Sequence, residues 1–324
     1  MSTEASGEGG GAAHGWRVGL LGYGEVGRIL GEDLRRLGVA RVLAWDRKLE
    51  QPQQAQPLRE HAAAAGIALA QSAERLAGDC DLLISAVTAS QALAVAQQCA
   101  GALRAGGWFL DLNSASPRAK SQAAEAIDAA GGRYVEAAVM TSVPPYRSQV
   151  PMLLGGAHAR ELEPALQALG FSKARFGDSR LGVVSATKMC RSVMIKGLEA
   201  MVIESFSTAR AYGVEDAVLA SLAETFPGID WERQGAYFFQ RVIEHGRRRS
   251  EEMREVARTV EEAGLSPWSA AGSAERQAWV ADLAERGVFG QRGASGFARS
   301  PDWRTEADRL LGALPQAGAP TTED

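Results

Sequence analysis

Residues 16–38, WRVGLLGYGEVGRILGEDLRRLG, decide the fold. The apolar run Trp16 to Leu21 reads as a buried strand, and the glycines after it as a tight turn. Val26, Leu30, Leu34 and Leu37 then recur at helical spacing until Gly38 stops the helix. Within the turn, Gly22, Gly24 and Gly27 stand at G-x-G-x-x-G spacing, which suits a dinucleotide. The first glycine makes the turn, the second lets backbone amides approach a pyrophosphate, and the third lets helix and strand touch. Tyr23, Glu25 and Val26 complete the loop and first helical turn, whose N–H groups present partial positive charge to phosphates. A second apolar run, Arg41 to Trp45, ends in Asp46, 19 residues after Gly27. Its carboxylate would accept hydrogen bonds from the adenosine ribose hydroxyls, which tips the expectation toward NAD. Arg47 and Lys48 follow and could instead hold the extra phosphate of NADP.

Outward from that unit, short strands are expected at 67–69, 82–87 and 108–112, separated by alanine-rich helices. Strands alternating with helices predict a Rossmann-type, doubly wound α/β sheet covered on both faces. Val87 and Thr88, at the end of the 82–87 strand, are further cofactor-binding candidates. More strands are expected at 134–140, 150–154 and 174–176, around a helix at 158–169. After about Ser179 the strand signals stop. Residues 181–212 hold no proline and could form one helix about 45 Å long. Helices at 231–245 and 248–263 follow. The expected organisation is a dinucleotide-binding domain at 15–178, a long interdomain helix opening an all-α domain at 179–313, and disordered tails at 1–14 and 314–324.

The 324 residues suffice for roughly two domains. Apolar residues make up 46% and charged residues 23%, so wholesale disorder is excluded. A net charge of −4 gives no reason to expect nucleic acid or an anionic membrane as partner. Cys80, Cys99 and Cys190 form no CxxC or metal-like pattern, which suits a reducing cytosol and no bound metal. The acidic, glycine-rich start does not read as a signal peptide, and no long apolar run reads as a membrane span. A cytoplasmic protein is expected.

Chemistry concentrates in LGVVSATKMCRSVMIKGLE, residues 181–199. Lys188, Ser192 and Lys196 recur every four residues and share a helical face. A lysine that loses hydration near a domain junction has lowered proton affinity and can act as a general acid or base. Two polar segments precede it, DLNSASP at 111–117 and VEAAVMTS at 135–142. In SVPPYR, residues 142–147, Pro144 and Pro145 stiffen a loop that presents Arg147, either to fork onto a carboxylate or phosphate or as a plain surface arginine. In HGRRRSEEM, Arg247 with Glu251 and Arg248 with Glu252 are i,i+4 pairs on a solvated face. The alternative is an anion contact, with His245 assisting proton transfer.

In order and type, these motifs resemble the β-hydroxyacid dehydrogenase and 6-phosphogluconate dehydrogenase superfamily over about Trp16 to Glu199. The resemblance extends to its phosphogluconate dehydrogenase-like subgroup with a distinct C-terminal domain. It implies that Gly182 and Lys188 are the glycine and lysine opening the interdomain helix, and that Lys188 handles the substrate hydroxyl proton. It brings Asn113 and Ser114 toward nicotinamide and substrate. The family's asparagine four residues after the lysine is Ser192 here, and its serine-glycine-glycine carboxylate cradle is Met140, Thr141 and Ser142. Thr141, Ser142, Ser192 and Lys196 therefore stand as substrate-binding candidates, and a homodimer is implied. The expected activity is NAD(P)-dependent hydride transfer to or from a small, anionic hydroxyacid or related secondary alcohol. A decarboxylating phosphogluconate-type enzyme, an imine reductase and a non-catalytic dinucleotide sensor are the alternatives.

Overall fold

The computed structural model describes residues 13, 15–294, 297, 300 and 302–314. Apart from Ala13 and Leu314, the expected tails lie outside the described residues, as does His14. The chain divides into two compact units, Met1–Cys190 and Arg191–Asp324.

The first unit is built on eight strands: β1 (Arg17–Leu21), β2 (Arg41–Trp45), β3 (Ala68–Leu69), β4 (Leu82–Ser85), β5 (Trp108–Asp111), β6 (Arg133–Val139), β7 (Met152–Gly155) and β8 (Ala174–Asp178). They form one sheet in the order β3-β2-β1-β4-β5-β6-β7-β8. Its pairs are parallel except β6 with β7. The connection after β6, residues 140–151, holds only the single turn Val143–Tyr146 and a 3-10 turn, with no full helix to carry the chain back across the sheet as a parallel partner requires. Helices α1 (Glu25–Arg36), α2 (Pro52–Ala65), α3 (Ala73–Asp79), α4 (Ala92–Ala100), α5 (Pro117–Ala129), a single turn α6 (Val143–Tyr146) and α7 (Ala159–Ala168) connect the strands.

Both faces of this sheet are buried, as the side-chain alternation of a strand requires. Leu20, Ile84, Leu110 and Val135 enter one apolar core with Leu30 and Leu34 of α1. Their strand neighbours Leu21, Leu83, Phe109 and Tyr134 enter a second core with Leu76, Cys99 and Ile127. The strands β1, β2, β4 and β5 thus present near-continuous apolar runs, and their carboxyl ends at Leu21, Trp45, Ser85 and Asp111 lie side by side.

The long helix α8 spans Val183–Tyr212. Its opening, Lys188 included, belongs to the first unit and its remainder to the second. The sheet unit therefore continues past the expected boundary at 178. The second unit adds α9 (Glu215–Thr225), α10 (Trp231–Glu262), α11 (Trp268–Glu285) and α12 (Trp303–Gly312). Its core gathers Ile203, Phe206, Phe239, Val242, Val280, Leu283 and Trp303. The two helices expected at 231–245 and 248–263 are one. Gly246 lies within α10, where a Cβ would come 2.8 Å from the Gln277 carbonyl oxygen of α11.

Candidate active site

The loop after β1 is shaped by its glycines. Gly22 has φ +95°, and a Cβ there would lie 2.5 Å from the Ala86 carbonyl oxygen. A Cβ on Gly27 would lie 2.1 Å from the Gly22 carbonyl oxygen, so the α1 backbone can cross the turn only at a glycine. Gly24 differs: nothing lies within 4 Å of its missing Cβ. It caps α1 with no side-chain bond, and the first N–H groups of a helix lack intrahelical acceptors. An open cradle, unfilled by any side chain, at a helix N-terminus fits a dinucleotide pyrophosphate, with Gly24, Glu25 and Val26 supplying the backbone.

Tyr23 does not serve as expected. Its side chain is fully buried, its hydroxyl lies 2.8 Å from His61 Nδ1, and burial pushes its pKa up to about 12. Its backbone N–H donates to Asp46 Oδ2 at 2.9 Å. Tyr23 is thus a loop anchor rather than a ligand. Asp46 Oδ1 also accepts the Lys48 N–H at 2.9 Å, capping a short 3-10 turn, Arg47–Glu50. Each carboxylate oxygen keeps a further lone pair for a ribose hydroxyl. Arg47 and Lys48 are exposed just beyond.

The neighbouring strand ends are tied together by Asn113. Its Oδ1 accepts the Val87 N–H at 2.7 Å, and its Nδ2 donates to Ser85 Oγ at 2.9 Å and Asp111 Oδ1 at 2.7 Å. With the amide committed on both sides and buried, Asn113 acts by joining the ends of β4 and β5, which corrects its expected role as a substrate contact. Thr88 is exposed beside this junction, its Oγ1 3.3 Å from Ser90 Oγ. Ser114, next along, accepts from Lys188 Nζ at 2.7 Å. The family-matched lysine and the loop serine therefore meet within the dinucleotide unit.

Gly182 precedes α8 with φ +89°, and its N–H donates to Glu136 Oε1 of β6 at 2.6 Å. A Cβ on Gly182 would press on Pro117, the first residue of α5, at 3.2 Å. Lys188 is half-buried one and a half turns into the helix so anchored.

Other expected substrate contacts are placed differently. Thr141 is exposed and Ser142 half-buried ahead of α6. Arg147 has the sole positive φ of a non-glycine among the described residues, 54°. Its guanidinium donates to Glu32 Oε2 at 2.6 Å and Asp33 Oδ1 at 2.7 Å, and Asp33 Oδ2 also accepts the Ser148 N–H. The fork foreseen for a ligand is already closed on two carboxylates of α1, so Arg147 is a latch for its own loop. These partners hold the Glu32 and Asp33 carboxyls below their usual range, Arg147 acting on both.

In the second unit, Lys196 is buried against Glu252 Oε2 at 2.6 Å, with Ser192 Oγ 3.4 Å from the ammonium. A buried, paired lysine is an internal ion partner, which corrects its assignment as a substrate contact. Arg247 pairs with Asp282 and Glu285 of α11 rather than Glu251, whereas Arg248 does pair with Glu252. Arg249 is buried on Glu199, so the run is no uniformly solvated face. Burial, with Arg241 close by, pushes His245 down to about 4, so it is neutral at physiological pH. Sequence reasoning missed Asp111, Lys120, Tyr134 and Glu136, which lie buried beneath Asn113 and Gly182; single polar residues inside apolar or helical runs carry no spacing signal.

Fold and loop together define a nicotinamide dinucleotide-dependent oxidoreductase. Residues 17–177 match the NAD binding domain of 6-phosphogluconate dehydrogenase, and residues 209–280 match a domain of unknown function (DUF1932). The chain belongs to the 6-phosphogluconate dehydrogenase-like family of the hydroxyacid dehydrogenase superfamily. It is similar to a conserved hypothetical protein from Sinorhizobium meliloti 1021, with 35% identity, 92% of this chain and 96% of that one covered, and a TM-score of 0.70. A conserved protein of unknown function, described as structurally similar to 3-hydroxyacid dehydrogenases, gives 28% identity, 83% and 99% coverage and a TM-score of 0.62. At 17% identity the Mycobacterium tuberculosis 3-hydroxyisobutyrate dehydrogenase, solved with L-serine, shares the fold, with 91% and 99% coverage and a TM-score of 0.62. Among the described residues no helix is long and apolar enough to cross a membrane, and no cluster of His, Cys, Asp and Glu could hold a metal ion.

Proposed function

We propose that the protein moves hydride between a nicotinamide dinucleotide and the hydroxyl-bearing carbon of a small hydroxyacid or related secondary alcohol, with Lys188 as the general acid and base. The observation that carries this reading is the Lys188 Nζ to Ser114 Oγ contact of 2.7 Å, in the same unit as the dinucleotide loop. The bound nicotinamide supplies the hydride acceptor or donor. The chain supplies binding and proton traffic. Gly24, Glu25 and Val26 present backbone to the pyrophosphate, and Asp46 accepts from the ribose. Lys188 takes the proton from the substrate hydroxyl during oxidation and returns it during reduction, while Ser114 orients both the amine and the substrate oxygen.

A panel of hydroxyacids, sugar acids, semialdehydes and imines, assayed at 340 nm with NAD(H) and NADP(H) in turn, tests the reading. 3-Hydroxyisobutyrate and L-serine belong in it because of the structural neighbour named above. Release of CO₂ would mark the decarboxylating alternative, and turnover of imines alone the reductive one. Tight dinucleotide binding with no turnover across the panel would leave a sensor. Lys188→Met should lower turnover about 10² to 10⁴-fold, the usual worth of a positioned acid or base, with dinucleotide affinity unchanged. Wild-type turnover in that variant ends the assignment.

A further inference from the structure

Beneath the Lys188–Ser114 contact lies a set of buried charges that binding does not require. Lys120, on α5, is 2% exposed, and its Nζ lies 3.0 Å from Asp111 Oδ1 and 3.1 Å from the Asp111 carbonyl oxygen. Asp111 ends β5 and is 1% exposed. Its Oδ1 also accepts the Asn113 N–H at 2.9 Å and the Asn113 amide at 2.7 Å, and its Oδ2 accepts the Tyr134 hydroxyl at 2.7 Å. Glu136, fully buried on β6, accepts the Gly182 N–H at 2.6 Å. Burial pushes the Glu136 carboxyl above its ordinary range.

Asp111 holds the loop that carries Ser114, and Glu136 holds the helix start that carries Lys188. Burying an ion pair brings no stability that a well-packed apolar pair could not match, so its stability value does not account for this arrangement. What it fixes is direction: Asp111 can grip Asn113 by both its N–H and its amide only while its charge is balanced. We propose that Lys120 is a positioning residue, holding the Asn113–Ser114 loop through Asp111 and so keeping the Ser114 hydroxyl on the Lys188 amine. The proposal rests on Lys188 being the acid and base of the reaction.

The test uses the full-length protein as Lys120→Met and, since the lone variant leaves the Asp111 charge buried, as Asp111→Asn with Lys120→Met, in which both charges go together. Trace labelling with acetic anhydride across pH 6 to 11, read by mass spectrometry, gives the titration midpoint of Lys188 without substrate. Lys48 and Lys173 are internal references. Because the Ser114 oxygen accepts from the ammonium, loosening the loop should lower the Lys188 midpoint by at least half a pH unit, with the references fixed. On a substrate found in the panel, kcat should fall at least tenfold while KM and the Kd for NADPH or NADH stay within twofold. A folded variant with an unmoved Lys188 midpoint and wild-type kcat overturns the proposal. If the wild type turns over nothing, the functional reading falls, and the labelling midpoint still decides whether Lys120 positions Lys188.

Discussion

Three glycines of one loop make three different demands at the level of the single residue. Gly22 and Gly27 are forced by neighbouring backbone, whereas the Cβ position of Gly24 faces open space at φ −77°, which any residue adopts. Gly24→Ala should therefore leave the melting temperature within about 2 °C while weakening NADH or NADPH binding at least tenfold, since the methyl would occupy the pyrophosphate cradle. Gly27→Ala should unfold the loop outright. Fluorescence titration and thermal melts of the two variants check the contrast, and an unweakened Gly24→Ala would remove the cradle from the site. The spacing of these glycines was legible because turn chemistry is local. The roles of Tyr23 and Arg147 were not, because both are set by partners far along the chain, His61 and the Glu32–Asp33 pair. His245 makes a second residue-level case. Its folded pKa near 4 lies below the usual 6.5, so between those values the unfolded chain takes up a proton that the native state refuses, and stability falls as pH drops through that window. Because the ring is 29% exposed and solvent screens part of the effect, the loss is on the order of 1 kcal/mol. His245→Gln should flatten the decline in urea stability from pH 6.5 to 4 by about that amount. An unchanged slope would show the ring to be protonated in the native state.

At the scale of the element, α10 shows how a helix sorts adjacent identical residues. Successive positions turn by about 100°, so Arg247 reaches α11, Arg248 reaches its own i+4 carboxylate, and Arg249 points inward to Glu199 of α8. Removing one member of a buried ion pair strands the other charge, at a cost of about 3–5 kcal/mol, while an exposed i,i+4 pair contributes about 0.3–0.5. Arg249→Met should therefore destabilise the helical unit severely and Arg248→Ala barely, as read by denaturant midpoints. Comparable effects would refute the burial assignment. The i,i+4 spacing foretold the Arg248–Glu252 pair. It could not foretell that Gly246 is a contact point for α11 rather than a helix end, because that depends on which helix packs there. The α/β alternation at 17–112 was readable for the opposite reason: each strand is an apolar run, and a glycine or proline close by in sequence marks most of the connections between elements.

On the scale of the whole molecule, two compact units with separate cores raise the question of which one a dinucleotide stabilises. Every residue assigned above to the cofactor, from Gly22 to Thr88, lies in Met1–Cys190, as do Ser114 and Lys188. A ligand that binds only the native state adds RT ln(1 + [L]/Kd), about 2.7 kcal/mol at a hundredfold excess over Kd. That increment should appear as slowed amide exchange on the loops at 22–27, 46–48 and 86–88 and on the sheet beneath them. The amides of α10 and α11 should change little. Hydrogen exchange with saturating NADH or NADPH measures this directly. Protection spread evenly through both units would mean that the dinucleotide also draws on residues 191–314. Lys196, Ser192 or His245 would then return to the site from which their pairing and burial within the helical unit now withdraw them.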